Sequence, residues 1–422
     1  MFLIYDAILI LVAVFYFPYY FLKKKSLREI LRRFKREILS NAYLLNSPIW
    51  IHAVSVGEVG AVRVLIKKLR ECYPQKKIVL TTVTSAGRKI AEAILPKEDI
   101  YYLPLDLSFL IRSFVRKINP SLFIIVETEL WPNLLLSVKK KRVPLVLVNA
   151  RISSFSLRGY KLIKWLLINL LDYIDLFLVQ TDVDKERFLR LGVNPEKIKI
   201  SGNMKFDILD DYKLEKDNFI LKKLGVNLGE KLLVAGSTHP GEEELILRVF
   251  KRLKEKFPFL RLLIAPRHPE RAVKIANLVK KEGLRAEFIS TIERAPSRKD
   301  SIFILDILGR LLDFYGIADI VFVGGSFVKK GGHNILEPAL FKKPIIFGPY
   351  MFNFQDISEQ FLKENAALVV RNQEEFYKIV EEIINEPQRG IIMGERAYHL
   401  IHRNKGATQK SLEWINSIFS GI

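Results

Sequence analysis

The stretch "WIHAVSVGEVGAVRVLIKKL", residues 50–69, decides the fold. Its first residues are apolar enough for a buried strand, Ser55-Val56-Gly57 turns the chain, and a helix-period pattern then starts with Glu58 in its first turn. A strand leading through a short turn into a helix is the unit from which open parallel sheets are built. A carboxylate mounted on such a turn lies at the carboxyl end of its strand, the edge where ligands bind in sheets of this kind.

The same pattern runs outward from this unit. "IWIHAV" (49–54), "KIVLTTV" (77–83), "SLFIIVE" (121–127), "PLVLVN" (144–149) and "LFLVQT" (176–181) are strand candidates with amphipathic stretches between them. Residues 206–228 turn polar and charged. The alternation then restarts with "KLLVAG" (231–236), "RLLIAP" (261–266), "SIFIL" (301–305), "DIVFVGG" (319–325) and "KPIIFG" (343–348). Continuous Val/Ile/Leu strands separated by helices predict parallel sheets covered on both faces, so the chain is α/β with two doubly wound domains. A length of 422 residues accommodates both. The expected organisation is an N-terminal apolar segment (1–22), a basic segment (23–47), a first Rossmann-like domain (48–205), a linker (206–228) and a second Rossmann-like domain with C-terminal helices (229–422).

The N-terminal segment "MFLIYDAILILVAVFYFPYYFL" has the length of a bilayer span, about 20 residues, broken only by Asp6 and Pro18. A cleaved signal peptide would carry its positive charge before the apolar run; here Lys23-Lys24-Lys25 follow it. Lys23 to Glu37 hold eight basic and two acidic residues, which predicts a membrane-anchoring helix with its basic flank and the globular part on the cytoplasmic side. Such a flank favours anionic inner-membrane lipids.

A formal net charge of +21 points to anionic partners. Nucleic acid is disfavoured, because no nucleic-acid motif appears and the aromatic residues lie mainly in apolar runs. One cysteine, Cys72, excludes an intrachain disulfide and a cysteine zinc cluster. The six histidines have no metal-ligand spacing, and Asp210-Asp211 reads as linker. No metal and no cofactor is expected.

The polar residues at the strand ends carry the chemistry. In the second half, "VAGSTHPGEEE" follows one strand, "APRHPER" the next, and "VGGSFVKKGGHNILEPALF" a third. Arg267 emerges between Pro266 and Pro269 on a rigid turn, where it and His268 suit a phosphate or a base edge; a solvated arginine is the alternative. Asn334 can cap the helix that begins "ILEPALF", and Glu337, one turn in, can accept hydrogen bonds from ribose hydroxyls. This is a nucleotide site in outline, without a Walker or GxGxxG motif. In the first half, Glu58 and Glu127 of "VETELWPN" end neighbouring strands, a pairing that places a general base beside an acceptor pocket. Glu129 would cap the turn before Trp131-Pro132. For Glu58 and Glu337 alike, a plain first-turn helix acid remains the alternative.

The ordered blocks "HAVSVGE", "VETELWPN", "VNARIS", "GNMKFD", "GSTHPGEE", "APRHPER", "VGGSFVKKGGHNILEPA" and "GPYMFNF", spread over residues 50–356, resemble the 3-deoxy-D-manno-octulosonic acid (Kdo) transferases of lipopolysaccharide assembly. The resemblance implies the GT-B architecture, two Rossmann-like domains facing a cleft, with the acceptor on the N-terminal side and the donor on the C-terminal side. It implies CMP-Kdo as donor, a lipid A precursor as acceptor, and direct inverting displacement. The family's base maps to Glu58 and its second acid to Glu127. Its CMP contacts map to Pro266, Arg267, Gly309, Arg310, Leu311, Asn334, Ile335, Leu336 and Glu337. Ser237, His239, Gly325 and Lys205 are further candidates on donor-side loops. Gly309-Arg310 departs from the Gly-Glu often found in relatives, which puts a side-chain contact at Arg310 in doubt but not a backbone one. Glu58, near a helix N-terminus, is expected to stay ionised. The competing reading is another membrane-associated GT-B transferase with a different sugar nucleotide, which the fold alone would not exclude.

Overall fold

The computed structural model describes residues 5–7, 9–11, 47–153, 156–157, 159–160, 164–211, 224–227, 229–292 and 301–419. They form two compact units, Met1–Asp211 with Asn404–Ile422, and Tyr212–Arg403.

The first unit holds a parallel sheet of β1 (Ile49–His52), β2 (Ile78–Thr82), β3 (Ile100–Tyr102), β4 (Leu122–Val126), β5 (Leu145–Ala150), β6 (Leu176–Val179) and β7 (Ile198–Ile200). Their order is β3-β2-β1-β4-β5-β6-β7. The order reverses between β1 and β4, which pair in register from Ile49↔Leu122 to His52↔Ile125. Inner strands such as β1, β4 and β5 are buried on both faces, as their unbroken apolar runs require. One core layer contains Trp50, Phe114, Phe123 and Phe177. The layer on the opposite face contains Ile51, Val59, Leu65 and Ile124.

The second unit repeats the plan. Its strands are β8 (Lys231–Thr238), β9 (Leu260–Pro266), β10 (Arg285–Phe288), β11 (Ser301–Ile304), β12 (Ile320–Val323), β13 (Ile345–Phe347) and β14 (Leu368–Val369). Their order is β10-β11-β9-β8-β12-β13-β14, with the reversal between β8 and β12. All the recorded pairings in both sheets are parallel. Two doubly wound α/β units are therefore present, as the strand pattern predicts.

Six helices position the site and its supports: α1 (Val56–Ala61), α2 (Ser108–Ile118), α3 (Pro132–Lys140), α4 (Glu242–Lys256), α5 (Leu336–Leu340) and, at the C-terminus, α6 (Ala407–Phe419). The last is a correction to the expected boundaries. Residues 404–422 group with the first unit rather than the second. Tyr73 donates its hydroxyl to Asn416 at 2.7 Å and its ring meets Phe419 edge-on, while Lys68 reaches Gln409. The first unit also continues past residue 205: Met204 and Phe206 are buried in it, in a 3-10 turn that runs to Asp211.

Most of the N-terminal apolar segment and nearly all of the basic segment lie outside the described residues. Among the described residues no helix is long and apolar enough to cross a membrane. Among them, too, no group of three or more His, Cys, Asp or Glu side chains could hold a metal ion.

Candidate active site

Each sheet carries its polar constellation at the carboxyl ends of strands at or near its order reversal, the edge where open α/β sheets bind ligands. In the first unit these strands are β1 and β4. Beyond β1, Ser55 caps α1 and Glu58 folds its carboxylate back onto Ser55 and the Val54 amide. The Glu58 amide bonds to Ser55 Oγ at 3.3 Å, Ser55 Oγ donates to Glu58 Oε1 at 2.7 Å, and the Val54 amide donates to Glu58 Oε2 at 2.8 Å. These bonds fix the carboxylate against the strand end. Burial pushes its proton affinity up, and the charge of Glu127 adds to this, against the lowering bonds from Ser55 and Val54 and the charge of Lys205. Burial is the largest influence on this carboxyl and outweighs the bonds and the charge that favour its ionised form.

Beyond β4 the chain turns through Glu127, whose φ of +59° places a non-glycine residue in the left-handed region. That strain is sustained by an ion-pair cluster. Arg151 Nε lies 3.2 Å from Glu127 Oε2, and Lys205 Nζ lies 3.0 Å from Oε1. Burial pulls the Glu127 carboxyl upward, but the charges of Lys205 and Arg151 outweigh it and hold the group below its usual range. Lys205, a candidate for the donor-side loops, therefore belongs to the acidic cluster of the first unit. Arg151, to which sequence reasoning gives no role, follows β5, and its place just past a strand end is the signal that could have found it.

Glu129 holds the turn before α3 through a side chain rather than a backbone amide. Its Oε2 accepts the Trp131 indole N–H at 3.0 Å, and α3 has no side-chain cap from Trp131 at its N-terminus. Burial raises the Glu129 carboxyl to about 7, helped by the charges of Glu58 and Glu127. Three carboxyls thus converge with different proton affinities: Glu127 low and neutralised, Glu58 raised, Glu129 raised to neutrality.

In the second unit, β11, β9, β8 and β12 lie side by side, and the donor-side candidates follow their carboxyl ends. Pro266 ends β9, and the exposed Arg267 leaves it with its amide bonded to Thr238 O at 3.0 Å. After β8, Ser237 has φ +55°, and His239 Nε2 lies 2.9 Å from His333 Nε2 with the rings parallel to within 3°. Burial, then the neighbouring positive groups, pushes His239 down to about 4. Burial and the charge of Arg267 push His333 to about 3. The pair is neutral at pH 7, one ring donating an N–H to the other.

The glycine-rich turn after β12 is already filled. Glu242, at the start of α4, accepts the amides of Gly325 at 2.7 Å, Ser326 at 2.9 Å and Phe327 at 2.9 Å, as well as that of His239 at 2.9 Å. The backbone donors at Gly325 hold the protein's own carboxylate. Gly325 serves instead by leaving room, since a Cβ there would stand 2.9 Å from the His333 ring.

Asn334 accepts the Leu336 amide at 3.1 Å and donates to Glu337 Oε1 at 3.2 Å, so it orients the acid as well as closing the turn before α5. Burial raises Glu337 to about 7 in spite of Asn334 and the charge of Arg267. Ile335 and Leu336 are buried beneath this turn. Gly309, with φ +85°, and Arg310 precede the helix Leu311–Ile317. The Arg310 guanidinium is paired with Asp313 on that helix, so its side chain is engaged locally, consistent with a contact through backbone at this position.

Against known proteins, residues 25–208 match the family model described as 3-deoxy-D-manno-octulosonic-acid transferase (kdotransferase). The chain is similar to a 3-deoxy-D-manno-octulosonic acid transferase of Haemophilus influenzae, 38% identical over 86% of each chain. It is also similar to one of Chlamydia trachomatis, 31% identical over 87% of this chain and 85% of the relative. Among solved structures, a UDP-N-acetylglucosamine 2-epimerase homologue from Listeria monocytogenes superposes with a TM-score of 0.59 at 15% identity, over 89% of this chain and 97% of the other. At that identity the likeness speaks for the two-domain GT-B-like fold alone.

Proposed function

The chain belongs to the 3-deoxy-D-manno-octulosonic acid (Kdo) transferase family, and from that premise we propose that it moves Kdo from CMP-Kdo to a lipid A precursor by direct inverting displacement with Glu58 as general base. The observation that carries this reading is the contrast between the acids at the β1 and β4 ends. Glu127 is neutralised by Lys205 and Arg151, whereas Glu58 is held by the Ser55 hydroxyl and the Val54 amide, has a raised proton affinity and has no cation paired to it at ion-pair distance among the described residues.

In this reading Glu58 removes the proton of the acceptor hydroxyl as its oxygen attacks the anomeric carbon of Kdo. The bond from that carbon to the CMP phosphate breaks, and its electron pair leaves on the phosphate. A base with a raised proton affinity is better matched to this step than an ordinary carboxylate. Glu127 fixes Lys205 and Arg151 and gives the acceptor pocket its charge pattern. On the second unit Arg267 meets the phosphate, and Glu337, oriented by Asn334, meets the ribose hydroxyls. The contacts at Pro266, Gly309, Arg310, Leu311, Ile335 and Leu336 frame CMP through backbone and apolar surface.

The apolar N-terminus and the basic segment behind it hold the protein to the anionic cytoplasmic leaflet of the inner membrane, where a lipid acceptor resides. The test is mass spectrometry of a lipid A precursor incubated with CMP-Kdo and the purified protein, beside Glu58→Gln. One or more added Kdo masses with the wild type and none with the variant support donor, acceptor and base together. Transfer by both proteins removes Glu58 from its role. CMP binding without transfer by the wild type removes the acceptor.

A further inference from the structure

The carboxyl end of β5 is irregular. Its pairing with β6 holds at Leu147↔Phe177 and resumes at Ala150↔Val179, so β5 carries one residue more than its neighbour over this stretch. The extra residue makes a β-bulge, and Asn149 within it has φ +53°, in the left-handed region. Asn149 O accepts the side-chain amide of Gln180 at 2.9 Å. Its Oδ1 accepts the backbone N–H of Met204 at 3.0 Å, across 55 residues of sequence.

Both cations of the Glu127 cluster stand next to this residue in the chain. Met204 opens the 3-10 turn that runs to Asp211, and Lys205 follows it, with Nζ 3.0 Å from Glu127 Oε1. Arg151 comes two residues after Asn149, just beyond the bulge, with Nε 3.2 Å from Glu127 Oε2. Glu127 is tied to the same strand, because its amide donates to Val148 O at 2.9 Å.

Asn149 is costly to keep. It is wholly buried, and its Nδ2 has no hydrogen-bond partner among the described residues. Turning the amide over offers no relief, since Nδ2 would then face the Met204 N–H. A buried donor without an acceptor keeps its desolvation penalty, and a positive φ strains any residue but glycine. Strain and an unmet donor that persist together in a core point to a functional constraint. We propose that Asn149 is a positioning residue of the site: its side chain places Lys205, and its bulge places Arg151, against Glu127. This rests on the transferase reading, in which Glu127 and its cations shape the acceptor pocket. The charges of Glu127 and Lys205 both bear on Glu58, so the placement reaches the proposed base without Asn149 touching substrate.

The test is a carboxyl-resolved NMR titration of the full chain, with the Glu127 signal assigned by its loss in Glu127→Gln. Asn149→Gly is the variant, because glycine adopts φ +53° freely and keeps the bulge while deleting the bond to Met204. Glu127 should titrate higher in Asn149→Gly by about one unit or less, with Arg151 still in place. The double variant with Lys205→Met should titrate as Lys205→Met does alone, since the side chain acts through that lysine. An unmoved Glu127, or a shift that adds to that of Lys205→Met, overturns the proposal. Loss of a cooperative thermal melt in Asn149→Gly assigns the residue to the fold and overturns it as well. In the transfer assay Asn149→Gly should lower kcat by about 10- to 100-fold with CMP affinity unchanged. A wild-type kcat would remove its role in the reaction. If the wild type itself does not transfer Kdo while the titrations behave as expected, the transferase reading falls and the placement of the Glu127 cluster by Asn149 stands.

Discussion

Lys205 Nζ stands 3.0 Å from Glu127 Oε1, and its charge also bears on Glu58, so one cation serves two acids of the site. It lowers the proton affinity of both. Replacing it, as in Lys205→Met, removes a favourable charge from ionised Glu58 and raises that group further. The acidic limb of the pH profile of kcat/KM should therefore move to higher pH, by about one unit or less with Arg151 still in place. An unmoved or downward-shifted limb would show that Lys205 does not set the base.

Glu58→Gln separates the capping role of this residue from its chemistry. Glutamine keeps one acceptor oxygen for the Val54 amide and the Ser55 hydroxyl can turn to accept from its amide, so the turn from Val54 to Glu58 should keep its geometry, and stability should change by less than about 1 kcal/mol. Proton removal from the acceptor is lost. Transfer should fall by about 10²- to 10⁴-fold, with CMP binding by calorimetry unchanged. A variant that transfers at the wild-type rate, or that fails by unfolding, defeats the assignment.

Burial, and then the charge of Glu58, brings Glu129 to about 7. Glu58→Gln removes that charge, so the Glu129 carboxyl should titrate below about 7, while its burial keeps it above the ordinary carboxylate range. Carboxyl-resolved NMR titration of the wild type and Glu58→Gln checks this. An unmoved or upward-shifted Glu129 titration would exclude the coupling.

Glu337 links function to stability. Its carboxyl rises from an ordinary value near 4.5 to about 7 on folding, chiefly through burial. A group whose affinity is raised in the folded state contributes stability below its unfolded value and loses that contribution as pH climbs through the folded one. The protein should therefore be less stable at pH 8 than at pH 5.5 by part of this difference. Glu337→Gln should recover on the order of 1–2 kcal/mol at pH 8 while weakening CMP binding. Thermal melts at both pH values, with and without CMP, check the two halves. Lower stability of the variant at pH 8 would mean that the carboxylate is better satisfied than its burial implies.

Much of this was legible in the chain because the informative residues are local. The inner strands are built on continuous apolar runs, and Glu127 and Arg267 follow a strand's last residue directly, with Glu58 a short turn further on. The edge strands β3, β7, β10 and β14 were not legible. They are two to four residues long and carry partly exposed side chains, so they leave no continuous apolar signal. Long-range polar contacts were hidden for a different reason. Nothing near Leu107 or Trp131 announces that Asp6 and Asp106 supply the missing caps. Glu242 reads as one of three first-turn acids, and only the fold shows that it closes the Gly325–Phe327 turn. The assignment of Lys205 failed similarly, because its partner Glu127 is 78 positions earlier in the sequence.

The hidden contact with the clearest consequence joins Asp207 to the start of α6. Its carboxylate accepts the amide of Gly406 at 2.7 Å and that of Thr408 at 2.5 Å, across about 200 residues of chain that include the whole second unit. Asp207 is buried, so removing it leaves two helix-terminal N–H groups without their acceptor. Asp207→Ala should destabilise the first unit by about 1–3 kcal/mol. Asp207→Asn, which keeps one acceptor oxygen, should lose less. The loss should fall first on the docking of α6 against Tyr73, and hydrogen exchange should report faster exchange in residues 407–419 before any change in β1 or β4. Unchanged protection of α6 in Asp207→Ala would show that its packing on the helix Arg63–Cys72, not the cap, holds the C-terminus in place.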